Sequence, residues 1–125
     1  MPRIIIRTNT ALSYYQQKNM TEGIRRIIEK IPGEKAEYVM SEYEPSTWIH
    51  FGDDLKSPCA SIEVVILDKV FKRTDPDILE TVLKDITELI TRNCGIPGNR
   101  IYGIISTKEM WTFDGTDIRK TFLKD

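Results

Sequence analysis

The sequence holds 125 residues with 18 basic and 19 acidic side chains, a formal net charge of -1 spread without long runs of one sign, which excludes a cationic surface built for nucleic acid. The length is that of one domain, residues 1–125, able to close a core without staples; Cys59 and Cys94 lie far apart, without a CxxC partner or a histidine cluster, so neither a redox dithiol nor a zinc site is expected. No apolar run approaches the roughly 18 residues that span a bilayer and no signal-type h-region follows a basic start, so no membrane partner and a cytoplasmic location are expected.

Residues 3–8, RIIIRT, are rich in β-branched side chains and bounded by Asn9, which predicts a first strand. Between Leu12 and Ile31 the apolar residues Met20, Ile24, Ile27, Ile28 and Ile31 fall on one face of a helix that stops at Pro32-Gly33. AEYVMSEY then reads as a strand, turned at Glu44-Pro45-Ser46, with TWIHF as a short second arm. The apolar run Ser61 to Val70 predicts a strand buried on both faces.

Asp75-Pro76 supplies an N-cap followed by proline at the first helical position, and Ile78, Leu79, Val82, Leu83, Ile86, Leu89 and Ile90 form the stripe of a second helix that Gly95 ends. NRIYGIIS reads as a strand, MWTF as a last apolar piece, and DGTDIRKTFLKD as a tail. The halves repeat weakly: strand, helix, then IPGEKAEYV at 31–39 and IPGNRIYGI at 96–104. Two βαβ units predict an α/β sandwich with four main strands, the strands of each unit parallel, and two helices on one face. The open face of that sheet then needs a cover, most simply another subunit.

Pro2 behind the initiator methionine is the candidate for chemistry. Methionine aminopeptidase trims Met1 when a small residue or proline follows, leaving a secondary amine tied to the first strand. An α-amino group titrates near ~7.7 to 8.0, and an apolar pocket favours its neutral form, as a general base at neutral pH requires.

The pattern MP, strand, Thr8-Asn9, then Gly33 with YVM at 38–40, HFG at 50–52, PCA at 58–60 and NRIY at 99–102 resembles the macrophage migration inhibitory factor family of the tautomerase superfamily over nearly the whole chain. The stretch CGIPGNRIYGIISTKEMWTFDGT, with the later TFL, is also similar to the ends of D-dopachrome tautomerase and of malonate semialdehyde decarboxylase-like members. The resemblance implies a homotrimer with active sites at subunit interfaces, no cofactor, and Pro2 as the catalytic acid and base of a keto-enol tautomerase. Its substrates would be small 2-keto acids such as phenylpyruvate.

The resemblance also implies substrate-binding residues. The slot of the family's carboxylate-binding lysine holds Glu34, which leaves Lys35, one position later, as the candidate. Leu67 takes the place of an isoleucine that binds through its backbone, followed by Asp68 where glycine is usual. Tyr102 matches a pocket tyrosine from the neighbouring subunit, Ile104 replaces an asparagine, and Phe113 aligns with a wall aromatic. Lys72 and Arg73 read as a solvated basic turn, or as replacement anion-binding charge. Alternative readings are a cytokine-like or regulatory homologue with a protein receptor, exported without a signal peptide, and a decarboxylase or hydratase on the same scaffold.

Overall fold

The computed structural model describes residues 1–121. Four strands, β1 (Arg3–Thr8), β2 (Met40–Glu44), β3 (Ala60–Leu67) and β4 (Ile101–Lys108), form one mixed sheet in the order β2-β1-β3-β4. Strands β1 and β2 are parallel, β3 and β4 are parallel, and β1 runs antiparallel to β3 with Arg3 opposite Val65 and Thr8 opposite Ala60. Each half is thus a βαβ unit, as the repeat predicts, and the two join through their first strands.

Helix α1 (Tyr14–Ile28) starts at a capping box in which Ser13 and Gln16 exchange side chain to backbone bonds of 2.7 and 3.1 Å. It ends three residues before the expected stop. The amides of Lys30 and Ile31 donate to Ile27 and Ile28, three residues back, so the last turn tightens and delivers Ile31 to the core outside the α-helix. Helix α3 (Pro76–Cys94) runs as predicted, from the Asp75 cap to Gly95 at a φ of 70°. Met20, Ile24 and Ile28 of α1, and Val82, Ile86 and Ile90 of α3, bury against Ile4, Ile6, Ile62, Val64 and Ile66 of the sheet, each side chain contributing about 1.5–3 kcal/mol.

Some boundaries differ from expectation. Strand β3 stops at Leu67, and Asp68–Arg73 form a short helix, α2, in which Asp68 pairs with Lys72 at 2.8 Å across one turn. Ala36–Tyr38 make a 3₁₀ turn, so the second strand begins only at Met40. TWIHF forms no strand; Phe51 bridges only to Asp54. The segment after β4 contains a hairpin, β5 (Thr112–Phe113) with β6 (Thr116–Asp117), and a turn of helix, α4 (Ile118–Thr121). The Phe122 and Leu123 of the TFL stretch lie outside the described residues.

The open face of the sheet is charged, which corrects the reading of β3 as buried on both faces. Only Val64–Leu67 are buried without interruption; Ser61 and Glu63 face the open side. There Arg3 pairs with Glu42, Arg7 with Glu44 at 2.5 Å and with Glu63 at 3.6 Å, and Ser106 donates to Glu63 at 2.7 Å. Ile5 lies between Glu42 and Glu63 in register and is only 3% exposed. Apolar exposure on this face is confined to its edges, at Met40 on β2 and at Tyr102 and Ile104 on β4.

Asn9 explains why TN and PCA go together. Its Nδ2 donates to the Ser57 carbonyl and its Oδ1 accepts from the Cys59 amide, both at 2.9 Å, fastening the loop that leads into β3. Cys59 is buried and Cys94 half-buried, the latter with its thiol pKa raised by burial.

Candidate active site

Pro2 is buried at the head of β1, held by its backbone: the Met40 amide donates to the Pro2 carbonyl at 3.1 Å, one step beyond the pairing of Arg3 with Met40. A cavity of about 450 Å³ opens at this point. The chain start forms one side, residues 37–40 another, and residues 111–113 the third. Val39, Met40, Trp111 and Phe113 make its walls largely apolar, and the rings of Tyr38 and Phe113 meet edge to face at 5.9 Å and 82°.

Phe113 reaches the cavity because the hairpin β5-β6 turns at Asp114-Gly115, whose φ values of 51° and 75° are the left-handed pair that a two-residue turn needs. Below it, Asp117 accepts from the Arg119 guanidinium at 2.7 Å and from the Arg119 amide at 2.9 Å, which holds its carboxyl at about 2.

The turn behind the cavity carries Glu34. Gly33, at a φ of 90°, brings the chain round, and the Glu34 amide donates to the Ile31 carbonyl at 3.0 Å. The Glu34 side chain is only 4% exposed and its carboxylate is paired with the Met1 ammonium, which stands in front of it beside Pro2. On the cavity wall, Arg3 is engaged by Glu42, while Glu37 is exposed.

The other residues expected at the site are dispersed within one chain. Lys35 is exposed and turned to solvent while Glu34 occupies the buried position. Leu67 is buried at the end of β3 that runs alongside the chain start. Tyr102 and Ile104 sit on β4, at the sheet edge opposite β2, and are 68% and 53% exposed. Phe51 lies 5.2 Å from the Tyr102 ring, with the Arg100 guanidinium stacked over Phe51. Of the basic turn, Lys72 is tied to Asp68, and Arg73 reaches to 2.8 Å from where a Cβ would stand on Gly33. His50 is exposed, and among the described residues no group of three or more His, Cys, Asp or Glu is placed to hold a metal ion.

Tyr38, Val39, Met40 and Trp111 are cavity residues that sequence reasoning did not assign to the site. The YVM stretch was visible as a motif without a role, and Asp114-Gly115 is a strong hairpin signal that would have placed Phe113 and Trp111 at a turn instead of in a tail.

The backbone of MIF2 from Leishmania major superposes with a TM-score of 0.82 at 23% identity, over 94% of this chain and 97% of that one. The chain has the macrophage migration inhibitory factor fold. The macrophage migration inhibitory factor of Toxoplasma gondii matches at a TM-score of 0.79 and 22% identity, over 92% of this chain and 98% of that one. The homologue from Prochlorococcus marinus matches at 0.78 and 20%, covering 92% and 97%. No protein-family model and no curated protein sequence matches the chain. On this migration inhibitory factor fold the Pro2 cavity lies at the end of the sheet where β1 and β2 begin, and the apolar pair Tyr102 and Ile104 on the β4 edge. No helix among the described residues is long and apolar enough to cross a membrane.

Proposed function

We propose that this protein is a keto-enol tautomerase of the tautomerase superfamily, acting on small 2-keto acids such as phenylpyruvate, with the Pro2 nitrogen as general base and acid once Met1 is removed. One observation carries the reading: Pro2 is buried at the floor of an apolar-walled cavity large enough for a single aromatic ring with a short side chain, and its backbone is pinned to the sheet. An amine in such a site takes the proton from the enol hydroxyl and delivers one to the neighbouring carbon, so that the nitrogen ends as it began. The apolar walls hold the ring and thin the surrounding water, which favours the neutral, proton-accepting form of the amine.

The assembly belongs to the same proposal. Met40 marks one edge of the open sheet face and Tyr102 and Ile104 the other, with a charged ladder between them. A head-to-tail ring of three copies sets the β4 edge of one subunit against the cavity edge of the next, so that Tyr102 and Ile104 complete the wall around Pro2 of a neighbour. Leu67, at the end of β3, and Lys35, in the exposed turn before β2, are the remaining substrate-binding candidates from the same chain as Pro2.

The test is ketonisation of enol phenylpyruvate by protein whose intact mass shows Pro2 at the terminus, beside Pro2→Ala. Loss of about 10²- to 10⁴-fold in kcat/KM with the variant is expected for removal of a positioned acid and base. An inert wild type with a confirmed Pro2 terminus would overturn the reading.

A further inference from the structure

A 2-keto acid brings a carboxylate into the cavity, and among the residues that line it one side chain is cationic, that of Arg3. The terminal amine is taken up by Glu34. Lys35, Lys72 and Arg73 are not on the wall: Lys35 is exposed, Lys72 is tied to Asp68, and Arg73 lies against the Gly33 turn.

Arg3 follows the reacting residue directly, and one peptide step spans about 3.8 Å. It pairs in register with Met40, so both side chains stand on the open face of the sheet, and both residues line the cavity. Glu42, on the same face of β2, accepts from the Arg3 Nε and, at 3.2 Å, from its Nη2. A guanidinium has five N–H donors, so the two of Nη1 and the second of Nη2 are left without an acceptor among the described residues. The side chain is 44% exposed, which opens these donors to a ligand. Nη1 and Nη2 together form the fork that a carboxylate meets with both oxygens. Glu37, exposed on another part of the wall, repels an anion from that side.

We infer that Arg3 is the residue that recognises the substrate's carboxylate and thereby selects 2-keto acids over neutral enolisable carbonyl compounds. The inference rests on the reading of Pro2 as the reacting base and adds to it a specificity determinant. The carboxylate pairs with the outer edge of the Arg3 guanidinium, the ring packs on Tyr38 and Phe113, and the carbon that gains or loses the proton lies between them over Pro2. Glu42 shares the guanidinium, and its charge opposes a second carboxylate close by, so it limits the affinity instead of supplying it.

The experiment is calorimetric binding of two probes of matched size, the anion 3-phenylpropionate and the neutral 3-phenylpropanamide, to protein beginning at Pro2 and verified by mass. Wild type, Arg3→Gln, Glu42→Gln and Arg7→Gln are compared, with turnover of enol phenylpyruvate recorded on the same samples. Wild type is expected to bind the carboxylate at least about tenfold more tightly than the amide, the ratio that a charge-assisted hydrogen bond supplies. Arg3→Gln should bring that ratio close to one and raise KM for phenylpyruvate by a similar factor with kcat less affected. Glu42→Gln, which removes the competing charge, should raise the ratio about 1.5- to 5-fold. Arg7 stands on the same face, engaged by Glu44 and Glu63 and outside the cavity lining, so Arg7→Gln should keep the wild-type ratio.

Equal binding, preference for the amide or no binding of either probe by wild type overturns the inference, as does a carboxylate preference that persists in Arg3→Gln. A ratio that falls in Glu42→Gln as it does in Arg3→Gln would mean that Arg3 acts only by pairing β1 with β2, and overturns it too. If Arg3→Gln does not fold, Glu42→Gln decides, and a ratio that fails to rise overturns the inference. Phenylpyruvate turnover that depends on Pro2, without carboxylate preference, leaves the tautomerase reading standing and removes this one. Carboxylate preference that depends on Arg3, without turnover, keeps Arg3 as the anion-binding residue of the cavity and removes the tautomerase reading.

Discussion

The rings of Tyr38 and Phe113 meet edge to face, 5.9 Å apart, across the cavity that holds Pro2. One comes from the turn before β2 and the other from the β5-β6 hairpin, so the wall is built by two segments more than 70 residues apart in the chain. Such a pair contributes about 0.5–1.5 kcal/mol beyond the area it buries. Phe113→Ala is therefore expected to lower stability by about 0.5–1.5 kcal/mol and, because Phe113 lines the cavity, to raise KM with kcat less affected. Unaltered steady-state kinetics would remove Phe113 from the site.

The two long helices pack against each other at Gly23. A Cβ there would stand 2.7 and 2.8 Å from the terminal carbons of Leu89, itself buried on α3. Alanine gains about 1 kcal/mol of helix propensity over glycine, but crowding a packed core costs about 1–3 kcal/mol. Gly23→Ala should thus lower stability by up to about 2 kcal/mol in a urea titration. A stabilised variant would mean that Leu89 moves aside freely.

Asp117 makes the hairpin acid-sensitive. Hydrogen bonds from the Arg119 side chain, and then from its backbone amide, depress the carboxyl to about 2 in the folded chain, against about 3.9 unfolded. A depressed folded value means that the contribution to stability is present above the unfolded value and is lost as the pH falls through the folded one. The amide resonances of Thr112 and Phe113 should therefore shift between pH about 4 and 2. Asp54, held down mainly by the Ser57 and Lys56 amides, titrates in the same direction but in a different loop, so Asp117→Asn should flatten the hairpin's response alone. The same curve in wild type and variant would show that the bond does not hold the hairpin.

Ile104 tests the assembly. It projects from the open face at the β4 edge and is 53% exposed in the single chain, so a charge there costs the monomer little. Ile104→Glu is expected to leave far-UV circular dichroism unchanged while converting a trimer to monomer in sedimentation, with activity lost alongside. A wild type that sediments as a monomer would overturn the ring.

The helices were legible because their apolar residues recur with the period of the backbone itself, and because Asp75-Pro76 and Gly95 mark the termini by local chemistry. The end of β3 was not. Val70 continues the apolar run in sequence, but Asp68 and Lys72 pair across a helical turn and carry it into α2 instead. Pro2 stands out by its position in the chain, whereas the cavity around it does not, since its walls come from segments joined only by folding.

Periodicity, caps and turn residues are local, and they suffice to specify two βαβ units, the parallel pairing within each, and an isoleucine-rich core between sheet and helices. Which charges are buried and which groups meet depends on contacts between distant segments, and those arise only when the chain folds. Folding put Glu34 out of water beside the chain start, left Lys35 in solvent, charged the open face of the sheet, and set Tyr102 and Ile104 on the edge away from Pro2.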